Sequence, residues 1–145
     1  MGSVGESAHP NDDSALRIRL PRDSHAPSMA RAAVAGFSER SSLGPGGCST
    51  LALLVSELVS NAVLHSDAPP ASDIRLCARL LDDARVRVEV VDDGSGFTVE
   101  PRDPSRIDGG YGLFLLDRQA TQWGVDREGG TRVWFEIGDR ATPDP

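Results

Sequence analysis

The feature that most constrains the fold of this chain is one long apolar segment, from about Cys48 to His65. Its apolar residues recur at helical spacing, about 100° per residue, and the side chains on one face would be Leu51, Leu54, Val55, Leu58 and Ala62. Such a stripe has to be buried against a second layer of secondary structure. The helix ends before DAPPAS, residues 67–72, because paired prolines cannot continue helical hydrogen bonding.

The remaining periodic segments predict that this second layer is a sheet. Alternation of apolar and polar residues predicts five strands: ALRIRLP, DIRLCARLLD, ARVRVEVVD, TQWGVDRE and TRVWFEI. Further helices are predicted over residues 26–40 and about 112–120, with SSLGPGG as a loop before the apolar helix. The order β-α-α-β-β-α-β-β predicts an α+β fold: a two-layer α/β sandwich with a mixed, largely antiparallel sheet and the helices on one face.

Length and charge indicate one acidic domain. With 145 residues, we expect a single domain over residues 15–138 between polar tails at 1–14 and 139–145. The net charge of −7 argues against direct binding of nucleic acid or of an anionic membrane surface, since both favour a basic face. We see no leader sequence and no apolar run near the about 18 residues that span a bilayer, so we expect a cytoplasmic protein.

All 15 basic residues are arginine. A P-loop and an ordinary protein kinase each place a lysine on the phosphates of the nucleotide, so neither can be built here in standard form. Any phosphate chemistry therefore has to rely on arginine, backbone amides and metal. The two cysteines, Cys48 and Cys77, match no metal or redox spacing, and we interpret them as small buried side chains.

Three polar residues, Glu57, Asn61 and His65, lie one turn apart along an edge of the apolar stripe. Polar groups at such an edge are partly desolvated, which costs free energy unless a partner satisfies them. The partner could be a metal, a ligand or another side chain; the simplest alternative is that Glu57 and Asn61 only hydrogen-bond neighbouring loops. His65 either interacts with the helix C-terminus or simply packs.

Two glycine-bearing segments have the features of ligand-binding turns. In VEVVDDGSGF a strand runs into Asp92, so a carboxylate that can accept a hydrogen bond from an exocyclic amine stands beside the bare backbone of Gly94 and Gly96. In GGYGLFLLD, glycines open a helix whose free amides form an anion site suited to phosphates. The alternatives are a plain Asp-Gly turn and an ordinary glycine-rich helix start.

Together and in this order, the three segments resemble the GHKL-type ATP-binding domain of gyrase-type topoisomerases, heat-shock chaperones, sensor histidine kinases and mismatch-repair ATPases. SELVSNAVLHS is similar to the asparagine-bearing box of that superfamily, DDGSG to its first glycine box, GGYGL to its second, and GGTRVWFEI to its closing strand. The resemblance covers roughly residues 15–138. SELVSNAVLHS and the pair Trp123-Gly124 are most similar to the anti-sigma-factor serine/threonine kinases, bacterial regulators that hold a sigma factor and phosphorylate a serine on its antagonist.

The resemblance implies ATP and Mg²⁺ as cofactors and assigns roles by position. Asn61 would coordinate Mg²⁺, which prefers oxygen ligands. Glu57 would be the general base that deprotonates the attacking serine hydroxyl. Asp92 would bind the adenine amine, with Gly94 and Gly96 under the base.

Further roles implied by the resemblance fall later in the chain. Thr131 would support Asp92 through a water, and residues 97–108 would be a lid from which Arg102 or Arg106 reaches the terminal phosphate. The phosphate side would be lined by Gly110, Gly112 and Leu113. The implied partners are a sigma factor and its anti-anti-sigma antagonist, and the resemblance also suggests a homodimer.

Two other functions remain open at this point. One is a binding module that uses ATP only to set its shape, or not at all; the presence of both Glu57 and Asn61 favours the enzyme over this module. The other is a detached catalytic domain of a sensor histidine kinase. Against it, nothing before residue 40 resembles a dimerising helix pair, since His9 and His25 lie in loop-like sequence.

Overall fold

A computed structural model describes residues 15–82, 85–94 and 116–138 of the chain. Its elements are β1 (Ala15–Leu20), α1 (Ala26–Ser38), α2 (Gly44–His65), β2 (Ile74–Asp82), β3 (Arg85–Asp92), β4 (Gln122–Asp126) and β5 (Thr131–Gly138). A single helical turn at 116–119 precedes β4 and belongs to the helix predicted over 112–120. Residue 120 is described and lies outside the helical turn, whereas residues 112–115 of the predicted helix, the two tails and residues 83–84 lie outside the described residues.

The five described strands form one sheet in the order β1-β2-β3-β5-β4, and each neighbouring pair is antiparallel. The predicted α+β fold is confirmed, and the described strands pair without a parallel contact. Strand β5 lies between β3 and β4, so the last described strand pairs with β3, the central strand of the sheet. The register places Asp92, the final residue of β3, opposite Thr131, the first residue of β5.

Strand alternation separates the sheet into a helix-covered face and an open face. Along β3, the buried side chains Val86, Val88 and Val90 alternate with partly exposed ones and belong to the core formed with the helices. Helix α1 contributes Ala26, Ala30, Val34 and Phe37, all at most 1% exposed. The core therefore lies between the helices and one face of the sheet, as the apolar stripe of α2 predicts.

The open face of the sheet carries polar and half-buried residues. One cross-strand row on this face runs through Arg17, Cys77, Glu89 and Trp134. Cys77 and Cys48 are both free and half-buried, and burial raises the pKa of the Cys77 thiol. A thiol with a raised pKa is less ionised at neutral pH, but the two cysteines are only half-buried and not the fully buried side chains that the sequence predicts.

Helix α2 begins earlier than the sequence pattern predicts. It starts at Gly44 rather than near Cys48, so GPGG belongs to its first turn and not to the predicted loop. Pro45 is compatible with this position because its missing N–H would have no partner in a first turn. Gly44 has φ of 80°, a conformation that glycine adopts without strain.

The sequence was expected to contain no apolar segment long enough to span a bilayer, and helix α2 corrects this expectation. With 22 residues and a mean hydropathy of 1.5, it is the one helix of the described residues long and apolar enough to cross a bilayer by length and composition. The core accounts for its apolar character instead, since Leu51, Leu54 and Leu58 are at most 1% exposed.

Candidate nucleotide-binding site

Asp92 is a buried carboxylate at the end of β3. It follows Val86, Val88 and Val90 on the core-facing side of the strand and is only 2% exposed. Its neighbour Asp93 points to the other side, where it is 44% exposed and pairs with Arg75 at 2.7 Å; this hydrogen bond raises the pKa of Arg75. A charge at a core position costs several kcal/mol unless it is compensated, so Asp92 requires a partner.

Arg22, in the turn between β1 and α1, is that partner. Its Nη2 lies 2.5 Å from Asp92 Oδ1, and the two side chains are 7% and 2% exposed. The same guanidinium donates from Nη1 to the carbonyl of Ala62 at 2.8 Å and from Nη2 to Ser72 Oγ at 3.3 Å. Arg22 is not predictable from the sequence, because its partner is 70 residues away and no local pattern marks it.

One oxygen of the Asp92 carboxylate has no hydrogen-bond partner. Within the described part of the chain, Asp92 Oδ2 and Arg22 Nε are the buried side-chain polar atoms without a hydrogen-bond partner. Such atoms are rare in folded proteins and call for a water or a ligand. An ionised carboxylate only accepts hydrogen bonds, so Oδ2 suits a donor such as the exocyclic amine of adenine. The chemistry of this atom therefore fits the predicted role of Asp92.

Gly94 is required by the packing of the turn that follows Asp92. Its N–H donates to Asp92 Oδ1 at 3.4 Å, and its carbonyl accepts a hydrogen bond from Thr131 Oγ1 at 3.3 Å. Thr131 thus contacts this turn through Gly94, and its expected support of Asp92 through a water remains a prediction. A Cβ at Gly94 would collide with Ser66 Oγ and lie 2.6 Å from Asp67 Oδ1, so the protein itself occupies the space beside this glycine.

Substitution of Gly94 by alanine tests this packing. We expect Gly94→Ala to lower the free energy of unfolding by about 1–3 kcal/mol, because the loop after α2 must move to admit a methyl group. The matched control is Gly36→Ala in α1, where a Cβ meets nothing within 4 Å. That change should raise stability by up to about 1 kcal/mol, since alanine favours helix. Urea unfolding measures both, and equal effects would contradict the contact at Gly94.

Glu57 and Asn61 lie one turn apart on α2. Asn61 is 7% exposed and Glu57 is partly exposed, whereas His65 at the end of the helix is exposed. Across the ranges that the structure describes, no hydrogen bond or ion pair joins the Glu57 carboxylate or the Asn61 amide to another side chain or to a loop. The alternative in which they only brace neighbouring loops therefore finds no support, and both groups are available to a ligand.

The rest of the predicted site lies outside the described residues. This applies to the lid at 97–108 and to Gly96, Arg102, Arg106, Gly110, Gly112 and Leu113. Among described residues, no group of three or more His, Cys, Asp or Glu side chains could hold a metal ion. A Mg²⁺ ion held by Asn61 together with phosphate oxygens needs no such group, because Mg²⁺ is usually bound through few protein ligands plus phosphate and water.

An antiparallel α/β sandwich with a buried carboxylate at the end of a central strand and an asparagine on the core helix defines a class of ATP-binding domain. The family described as "Histidine kinase-like ATPase domain" matches residues 20–137, and the chain belongs to this family. The identification from the three sequence segments is thereby confirmed.

Among individual proteins, the chain is similar to the serine-protein kinase RsbW of Staphylococcus epidermidis. The two are 28% identical over 132 residues, which cover 81% of this chain and 82% of that protein. Two strains of the same species carry RsbW proteins with the same identity and coverage. The similarity supports the anti-sigma kinase branch of the family.

One solved structure supports the fold. The structure of the RsbU and RsbW domains of a Mycobacterium tuberculosis protein superposes with a TM-score of 0.67 and 23% identity. The match covers 86% of this chain, which spans about a third (32%) of that two-domain chain. A histidine kinase domain from Erythrobacter litoralis aligns over 63% of this chain and 44% of that chain, with 25% identity and a TM-score of 0.45.

Proposed function

We propose that this protein is an ATP-dependent anti-sigma factor that binds ATP with Mg²⁺, holds a sigma factor, and phosphorylates a serine on the anti-anti-sigma antagonist. The observation that carries the proposal is the unpartnered Oδ2 of buried Asp92, an acceptor that suits an amine donor. The similarity to RsbW, named a serine-protein kinase, supports the protein substrate.

Asp92 reads the base in this proposal. The exocyclic amine of adenine donates to Oδ2, while Oδ1 stays bound to Arg22 and to the Gly94 N–H. Thr131 holds the turn in place through the Gly94 carbonyl. Burial makes this contact selective, because a purine with a carbonyl oxygen at the same position would place one acceptor against another.

Asn61 and Glu57 are the residues proposed to bind the metal ion and to accept the proton of the substrate. Asn61 would supply an oxygen ligand to Mg²⁺, and the ion would neutralise charge on the phosphates. Glu57, one turn earlier, takes the proton from the serine hydroxyl of the substrate protein. The serine oxygen forms its bond to the terminal phosphorus as the bond to the bridging oxygen breaks, and ADP leaves. Arg102 or Arg106 remains the predicted cation at the terminal phosphate, and Gly110, Gly112 and Leu113 the predicted lining.

The partners follow from the same proposal. A sigma factor and its antagonist are the protein ligands, and a homodimer is the oligomeric state that the family resemblance suggests. Direct binding of nucleic acid is not part of the proposal, since the chain is acidic overall. A cytoplasmic location remains a prediction.

Thermal unfolding with nucleotide tests the binding step. ATP with Mg²⁺ at about 100 times its dissociation constant should stabilise the folded state by about 2.7 kcal/mol and raise the melting temperature by several degrees. Asn61→Ala should abolish the difference between ATP alone and ATP with Mg²⁺, because the protein ligand of the ion is gone. Ser60→Ala, the adjacent position on α2, is the control and should keep that difference. Absence of any ATP-induced shift in the unmodified protein would overturn the proposal.

A further inference from the structure

We propose that Arg22 is a positioning residue of the nucleotide site, which fixes the Asp92 carboxylate so that the site selects a 6-amino purine over a 6-oxo purine. The inference rests on the proposed ATP binding and concerns how the base is chosen. It assigns a role to a residue between β1 and α1, outside all three segments that identify the nucleotide site in the sequence.

The contacts of Arg22 join three parts of the chain. Its guanidinium binds the Ala62 carbonyl in the last turn of α2, the Ser72 hydroxyl before β2, and the Asp92 carboxylate at the end of β3. A guanidinium is planar and its N–H groups form a rigid fork, so these contacts fix the direction of each partner. Arg22 therefore sets the orientation of Asp92 relative to the end of α2.

The two oxygens of Asp92 are made unequal by these contacts. Oδ1 accepts hydrogen bonds from Arg22 Nη2 and from the Gly94 N–H, while Oδ2 is buried and has no donor in the described part of the chain. The two donors at Oδ1 restrict rotation of the carboxylate and leave Oδ2 as the oxygen without a donor. The oxygen left for the base is consequently a single, fixed acceptor.

A fixed acceptor discriminates between purines. The 6-amino group of adenine donates to Oδ2, whereas the 6-oxo group of hypoxanthine would place a second acceptor against it. Lysine in place of Arg22 would keep the positive charge but lose the fork. The carboxylate could then tilt away from the base, and the hydrogen bond that favours the 6-amino purine would weaken.

The contact to the Ala62 carbonyl extends the effect to the other end of the site. Ala62 directly follows Asn61, the predicted Mg²⁺ ligand, on the same turn of α2. Arg22 thus ties the backbone beside Asn61 to the carboxylate that faces the base. One side chain aligns the base end and the metal end of the nucleotide with each other.

The test compares ATP with ITP, which carries a 6-oxo purine on the same ribose triphosphate, by titration calorimetry with Mg²⁺ on the full chain. The unmodified protein should prefer ATP by about 100-fold. Arg22→Lys should reduce that ratio by about tenfold or more, with the affinity for ITP changed less than about threefold. Arg19→Gln is the control, since Arg19 forms an exposed ion pair with Asp73 and should leave the ratio unchanged.

A second measurement uses Asp92→Asn. Because Arg22 only donates hydrogen bonds, the amide oxygen should face Arg22 and the amide nitrogen should replace Oδ2, so that ITP binds more tightly than ATP. In the double variant Arg22→Met/Asp92→Asn, position 22 no longer donates and only the Gly94 N–H still favours the amide oxygen, so this reversal should weaken.

The outcomes separate this inference from the proposed function. An unchanged ratio in Arg22→Lys, or an equal loss of ATP and ITP affinity, would overturn the positioning role and leave ATP binding in place. If the unmodified protein bound neither nucleotide, the proposed function itself would fail.

Discussion

Asp92→Asn is expected to abolish the rise in melting temperature that ATP with Mg²⁺ produces, with a loss of ATP affinity of at least about 100-fold. Arg22 Nη2 and the Gly94 N–H both donate to Oδ1, so the amide oxygen takes that position. The amide nitrogen then faces the adenine amine, and two donors meet in a buried site. Differential scanning fluorimetry with and without nucleotide measures the effect.

The same substitution should also weaken the protein without nucleotide. Removing one charge of a buried pair leaves the other uncompensated, at a cost of about 3–5 kcal/mol. The control is Asp93→Asn, which changes a neighbouring carboxylate that is exposed and pairs with Arg75 on the open face. Asp93→Asn should keep both the basal melting temperature and the ATP-induced shift. A full shift in Asp92→Asn would rule out Asp92 as the reader of the base.

Glu57→Gln is expected to reduce phosphate transfer by about 10²- to 10⁴-fold, because an amide cannot take the proton of the attacking hydroxyl. Binding of ATP should be unaffected, since Glu57 does not contact the base in the proposal. The assay follows label from the terminal phosphate of ATP to the antagonist protein that co-purifies with this chain from its native cell.

The matched control for Glu57→Gln is Glu39→Gln, an exposed glutamate just after α1. It should transfer phosphate at the rate of the unmodified protein. Transfer that persists undiminished in Glu57→Gln would contradict the role of general base. ATP binding without any transfer in the unmodified protein would instead favour the binding module over the kinase.

Local patterns predicted the elements of the fold well and their boundaries less well. The apolar stripe of α2 and the alternation along β3 are properties of neighbouring residues, and both elements are present as predicted. The start of α2 was placed four residues late, because GPGG has the composition of a loop. Its helical state follows from packing and from the place of Pro45 in the first turn, which composition alone does not reveal.

The residues of the candidate site were likewise predictable only where a local sequence pattern marks them. Asp92 and Gly94 were predicted because a carboxylate followed by a glycine at a strand end is a local signal. The buried pair with Arg22 was not predictable, since it joins residues 70 positions apart and any of the 15 arginines could have formed it. Gly130 was not singled out in the sequence, yet its α-carbon lies so close to Asp92 that an added Cβ would be 2.6 Å from the Asp92 carbonyl oxygen.

The insertion of β5 between β3 and β4 has a consequence for synthesis of the protein. Asp92 depends on Arg22, 70 residues before it, and the turn after Asp92 depends on Thr131, 37 residues after Gly94. During translation, Arg22 is added to the chain long before Thr131. The pocket can close only when translation of the final strand is complete, so a truncated product that ends before β5 should be unable to compete with the finished protein for nucleotide.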